Sequence, residues 1–346
     1  MNKNTTLNDY ALKRSKRTDF YRRYGLAFLF LAPFLFFFLL FCIYPLLYGI
    51  VMSLMKFSIS DYTQNEWRGF QNFITILTNS NSIYNINFWY SMKNTVLFSL
   101  IIVPLNIIIP LILAVLINMK PIGYKWFRAL IYLPSILPVS ASGVMFIALF
   151  SKNFGYINQW FGGNVDWLNG SPTTAWFIIL LLCLWGGGGG NFIILSAGLK
   201  NIDKSLLEAS NVDGCAGIRR VFKVILPTIK DQLIICIFTT IIGYFGLYGQ
   251  VYVLTNGGPN VNINGQNFNS TMTIMWYLQS LINSTNFEIY GMVSAMGLLL
   301  GIFVGIIAGL QLFLMRDRKT KDKISLDFKK YKKEKNICST GGKLNE

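Results

Sequence analysis

The chain has 346 residues, of which 53% are hydrophobic and only 13% are charged. A soluble domain carries about 45–50% apolar and about 25% charged residues, so charge is too scarce here to cover a water-soluble enzyme of this size. Histidine is absent, which removes imidazole bases, His metal ligands and His pH sensing. The apolar excess also excludes disorder for the bulk of the chain.

Net charge is +16, from 31 Lys and Arg against 15 Asp and Glu. Whether that charge serves nucleic acid or a membrane is decided by where it lies. The five cysteines (Cys42, Cys183, Cys215, Cys236 and Cys338) have no CxxC and no metal-ligand spacing, and read as small packing residues.

Six uncharged apolar runs occur in chain order: Gly25–Met55, Thr95–Met119, Ala129–Phe150, Thr173–Leu199, Leu233–Thr255 and Tyr290–Met315. Each exceeds the ~20 residues of a bilayer-crossing helix. The first is too long for a secretory signal and lacks a small-residue cleavage site, so it reads as an uncleaved span bent at Pro33 and Pro45. The expected fold is all-α, a membrane protein of six transmembrane helices. Residues 1–24 form a basic cytoplasmic segment, 25–315 the membrane domain, and 316–346 a basic cytoplasmic tail. With both termini cytoplasmic, 27 of the 31 basic residues fall inside; Lys56, Arg68, Lys93 and Lys152 fall outside. That split follows the positive-inside rule, so topology and anionic lipid account for the charge without nucleic acid. Seven lysines between Lys319 and Lys333 read as a solvated or lipid-touching extension.

No span carries an ionisable acid or base, which argues against a proton relay or an ion-coupled carrier. The spans do offer rings, amides and hydroxyls, at Asn106, Trp185, Asn191, Tyr244, Tyr248 and Gln250. Rings and amides suit a neutral polyhydroxylated ligand. Tyr244, Tyr248, Gln250, Asn191 and Trp185 are the substrate-path candidates. Each has a plainer role open to it, in helix packing or the interfacial belts. Gly186–Gly190 is an unbroken glycine run in the fourth span, read first as a close helix approach and second as an unwound site.

Between the fourth and fifth spans, residues 200–230 form a loop. Asp203 or Ser205 is placed to cap a short helix, with Glu208 completing a capping box from Ser205, and Gly214 to end it left-handed. A second short helix aligns Ile218, Val221, Phe222 and Ile225, and Pro227 is expected to break it.

This stretch resembles the E-A-A-x3-G-x9-I-x-L-P loop of ABC-importer permeases: Glu208, Ala209, Gly214, Leu226 and Pro227 match in place. Ser210 replaces the second Ala and Val224 the Ile; Ser210 is expected to loosen the docking surface slightly. Further weak motifs occur in the order and spacing of sugar-type permeases: Gly69-x-x-Asn72-Phe73, Asn94-Thr95, Phe127-Arg128-x-x-x-Tyr132-Leu133-Pro134, Leu254-Thr255-x-Gly257-Gly258-Pro259 and Tyr290-Gly291-x-x-x-Ala295. Together they resemble the first permease subunit of maltose and glycerol-3-phosphate importers. The resemblance implies a type I ABC importer fold and three kinds of partner: a second permease subunit, an ATPase dimer, and an extracellular solute-binding protein. It also implies coupling to the ATPase through Glu208, Ala209, Ser210, Asp213, Gly214, Leu226 and Pro227. No GxxxxGK[ST] sequence is present, so ATP and Mg are expected on the partner ATPase, with no cofactor or metal in this chain. A sugar or oligosaccharide is the expected cargo and a phosphorylated polyol the runner-up. A stand-alone carrier and a membrane-bound enzyme are the competing classes.

Overall fold

The structure, a computed structural model, describes residues 25, 28–58, 65–215, 217–263, 265–284 and 289–341, with side chains as far as Met315. The basic N-terminal segment 1–24 and the tail's charged side chains lie outside what is described. The chain divides into two units. One runs to Ile74 and includes the stretch ending at Leu298; the other holds Thr75–Thr285 and continues from Leu299.

In the first unit, α1 (Phe28–Ser53) is a span by length and composition, and none of its most apolar window is buried. A π-turn at Leu39–Ile43 precedes Pro45, where a proline has no N–H to give the preceding turn. Exposed phenylalanines stack along it, Phe34 on Phe38 and Phe37 on Phe41. Two short strands, β1 (Met55–Lys56) and β2 (Glu66–Trp67), pair antiparallel. Helix α2 (Gln71–Thr78) then starts, and buried Asn72 donates to Ser53 O at 2.8 Å and Met55 O at 2.9 Å. That closes the end of α1 onto the Gly69-x-x-Asn72 segment. Gly291, near the start of the last helix, lies so close to Met55 O that a Cβ would collide with it.

The second unit centres on α3 (Ile83–Asn118) and α7 (Pro172–Lys200). Ser171 caps α7 by accepting from Thr174 N, with Pro172 beside it where the missing N–H costs nothing. Between them come α4 (Tyr124–Tyr132), a 3-10 turn (Leu133–Ile136), α5 (Val139–Phe150) and α6 (Tyr156–Phe161). The expected third span, Ala129–Phe150, is not one helix. The segments either side of Leu137 are bent by 98°, because the residue before a proline is driven out of the helical region and Leu137, before Pro138, is extended. Alone, α5 has 12 residues, about 18 Å.

Helices α8 (Lys204–Val212) and α9 (Gly217–Thr228, with a π-turn at Val221–Ile225) lead into α10 (Lys230–Phe245). The bend from α9 to α10 is 78° and falls at Ile229, not at Pro227, whose lost donor the π-turn absorbs. The expected fifth span, Leu233–Thr255, is also interrupted: α10 ends at Phe245 and α11 (Gly249–Leu254) starts afresh. A hairpin comes next, β3 (Asn260–Ile263) against β4 (Gln266–Asn269), then α12 (Ile274–Ile282) and α13 (Tyr290–Gly341). Asn94 donates to Ser270 O and Met272 O, and Thr95 Oγ1 accepts from Ile274 N, so the Asn94-Thr95 pair fastens the segment after the hairpin. Thr271 links Thr255 to Gly258 O in the same loop.

Among the described residues four helices are long and apolar enough to cross a membrane, or six if each bent pair is one span.

Candidate coupling loop and intramembrane polar cluster

Helix α8 is capped geometrically at Asp203 without a side-chain bond. The expected capping box from Ser205 to Glu208 does not form, because the helix begins at Lys204 and puts Ser205 inside its first turn. Gly214 is left-handed at φ +67°. Cys215 N donates to Ser210 O at 2.9 Å and Gly214 N to Asn211 O at 3.1 Å, the paired bonds of a Schellman end. Ser210 is buried and its hydroxyl donates to Leu207 O at 2.7 Å, so the serine is held inside the loop. Glu208, Ala209, Asp213, Gly214 and Pro227 are exposed; Leu226 is half-buried. Arg220 Nη1 donates to Asn211 Oδ1 at 2.7 Å, joining α9 to α8.

The expected apolar face of the second helix splits. Ile218 and Phe222 stay exposed while Ile225 is buried, since the π-turn inserts a residue and rotates the turn beyond it. The loop therefore displays Leu206 and Val212 on α8, the helix that carries exposed Glu208, and Ile218 and Phe222 on α9.

A polar cluster joins three helices of the second unit. Asn106 on α3, 1% exposed, donates from Nδ2 to the Tyr244 hydroxyl of α10 at 2.7 Å. Tyr244 donates onward to Cys183 O of α7 at 3.3 Å. Asn191 of α7 donates to Asn106 O at 2.8 Å and to Thr240 Oγ1 at 2.9 Å. Asn106 Oδ1 is buried with no partner.

The glycine run stays helical throughout: in a membrane no water takes over the backbone bonds that unwinding would expose. A Cβ at Gly187 would sit 2.6 Å from the Tyr244 hydroxyl and 3.2 Å from Asn106 Oδ1; at Gly189 it would strike Ser135. The run is a close-packing surface on α7.

The structure thus gathers Tyr244 and Asn191, through Asn106, into one cluster. Tyr248 and Gln250 lie past the end of α10, Tyr248 stacked on Tyr252 at 5.3 Å. Trp185 packs on Phe146 at 5.9 Å and is 38% exposed. Sequence reasoning noted Asn106 only as one polar residue among several and missed Thr240. The available signal was that an amide deep within an apolar helix is costly without a partner.

Four apolar helices of spanning length and two bent helix pairs, among the described residues, define a helical membrane protein with several candidate spans. The pattern of the family described as binding-protein-dependent transport system inner membrane component matches residues 106–320, and the chain belongs to that family. It is 30% identical over 281 residues to the sulfoquinovosyl glycerol transport system permease of Agrobacterium fabrum, covering 80% of this chain and 85% of that one. It is 29% identical over 305 residues to the lactose transport system permease of Rhizobium radiobacter, covering 84% and 94%. Among solved structures, a chain of a bacterial ABC transporter that imports the acidic polysaccharide alginate superposes with a TM-score of 0.71 at 19% identity, covering 87% of this chain and 98% of that one. A second structure of a bacterial alginate transporter, bound to a periplasmic protein carrying an alginate pentasaccharide, gives a TM-score of 0.67, also at 19% identity, over 85% of this chain and 94% of that one.

Proposed function

We propose that the chain is one of two permease subunits of an ATP-driven importer for a sugar or oligosaccharide, working with an ATPase dimer and an extracellular solute-binding protein. The bent pair Tyr124–Ile136 and Val139–Phe150 counts as the third span and α10 as the core of the fifth, with α9 left in the cytoplasmic loop, giving six, with both termini cytoplasmic as the basic residues distribute. The observation that supports the coupling role is that Leu206, Val212, Ile218 and Phe222 are exposed together with Glu208 on one two-helix loop, whose first helix is closed by a Schellman end. ATP and Mg belong to the ATPase; closure of its dimer moves the loop, and the loop turns the helices toward the binding protein. Loop and transport path are then two sites biasing one two-state element.

A sugar is favoured by the transport activities named for the relatives and by spans without charge, against a phosphorylated polyol, which calls for a cation along its path. Tyr244, Tyr248, Gln250, Asn191 and Trp185 remain the candidates for lining that path. The test is Glu208→Lys in the assembled importer. Uptake and binding-protein-stimulated ATP hydrolysis are expected to fall together; both surviving intact would overturn the coupling role.

A further inference from the structure

Helix α3 has spanning length and ends at Asn118, and α4 begins at Tyr124. The linker between them reaches at most about 20 Å, so α4 starts at the membrane edge. The 98° bend then turns the Tyr124–Ile136 segment off the axis of α5 and toward the membrane plane. Trp126 is 78% exposed, with Phe127 and Leu130 exposed beside it. Rings and aliphatic side chains on a short surface helix settle at the boundary between lipid headgroups and chains.

The half-buried stripe of α4 is Tyr124, Arg128 and Ile131, at the spacing of one helix face. Within that stripe Arg128 lacks a counterpart. Its Nε is buried with no hydrogen-bond partner, while the residue as a whole stays part-exposed. No acidic residue occurs in residues 119–150. Exposed Lys125 stands three residues before Arg128 on the same helix, so two cations a turn apart repel unless an anion lies between them. A guanidinium beside an ammonium is a receptor for phosphate.

We propose that α4 is an interfacial helix whose Lys125 and Arg128 bind the phosphate of an anionic phospholipid. Trp126, Phe127 and Leu130 lie against the upper acyl carbons of the same layer. A free phosphate ion would neutralise the cations but leave the rings in water; a lipid answers both. The choice of the cytoplasmic leaflet rests on the six-span reading above. A Cβ at Gly189 of α7 would meet Ser135 and Tyr132 at the far end of this segment, so the lipid holds in place the piece that seats on the glycine run.

The test uses the assembled importer in phosphatidylcholine liposomes with a minority of phosphatidylglycerol. Two photoactivatable phosphatidylglycerols are compared, one with its diazirine next to the glycerol and one with it at the end of an acyl chain. The first is expected to label residues 122–130 and the second α5. Excess phosphatidylglycerol is expected to compete for α4, and inorganic phosphate or phosphatidylcholine to leave it labelled. Lys125→Gln, at an exposed residue, is expected to lower α4 labelling about fivefold, the worth of one basic residue at an anionic surface. Arg128→Gln is expected to lower it at least as far, and Arg128→Lys, which keeps the charge, to restore part of the loss. Lys329→Gln with Lys330→Gln in the tail is expected to change nothing at α4. Labelling of α5 without α4, as a partner subunit covering the helix would give, would overturn the proposal. So would equal competition by phosphatidylcholine, or undiminished labelling of Lys125→Gln. Labelling of neither helix would remove the third span along with it.

Discussion

Asn106 on α3 and Tyr244 on α10 meet at 2.7 Å across Gly187 of α7, which has no side chain to keep them apart. The amide–phenol bond ties α3 to α10, and the Tyr244 hydroxyl donates onward to Cys183 O of α7, so three segments far apart in sequence meet there. Tyr244→Phe removes the acceptor of Asn106 Nδ2 and leaves a buried amide unpaired, a loss of about 0.6–2 kcal/mol by the worth of interhelical bonds in membranes. A lowered melting temperature of the purified complex is expected, with Tyr244→Phe and Asn106→Leu together costing less than the sum of the two. Strict additivity would show that the pair does not interact.

Neighbouring glycines of the run are expected to respond oppositely. A Cβ at Gly189 would press on Ser135, with that residue's Cβ 2.8 Å away, whereas at Gly190 nothing lies within 4 Å. Gly189→Ala should destabilise, while Gly190→Ala should be neutral or gain up to about 1 kcal/mol from helix propensity. Thermal unfolding of the two variants side by side decides; equal losses would contradict the packing role of the run.

Asn72 supplies one buried side-chain amide to two backbone carbonyls, Ser53 O and Met55 O. Asn72→Ala leaves both acceptors without it, at about 1–3 kcal/mol for a buried unsatisfied group. Faster proteolysis in the segment between β1 and α2, compared with the unaltered protein, is the expected readout.

Ser210→Ala restores the residue usual in the loop of ABC-importer permeases. The hydroxyl bonds only to Leu207 O within its own helix, so the change should cost no more than about 1 kcal/mol and leave ATPase coupling in place. A several-fold fall in coupled hydrolysis would mean that Ser210 does more than pack.

The sequence placed the helical membrane class and the location of each apolar run, because a bilayer imposes length and apolarity directly on the chain. It also placed the left-handed stop at Gly214, where turn chemistry is local. It missed the breaks at Leu137 and at Gly246–Tyr248, since an apolar count does not register where backbone direction changes. Pro134 and Pro138 carried that information for the first break. The face formed by Ile218, Val221, Phe222 and Ile225 failed because the period assumed a regular helix where a π-turn lies. The Asn106–Tyr244 partnership was invisible because 138 residues separate the two, and no local pattern encodes a contact between distant helices. The weak motifs found a physical purpose: Asn94-Thr95 fastens a distant loop, and Gly291 is a glycine because Met55 O leaves no room for more.

Helix α3 has 36 residues, a rod of about 54 Å at 1.5 Å per residue, well beyond the ~30 Å hydrocarbon layer. Its surplus lies toward the end that carries Asn94, fastened to the segment after the β-hairpin. A rod longer than the layer it crosses works as an oar in its lock: a tilt of about 5° at the Asn118 end sweeps the other end by roughly 5 Å over that length. Whatever grips the loop beyond the hairpin therefore holds α3 where it leaves the hydrocarbon layer, and a displacement there is carried along the helix into the membrane interior.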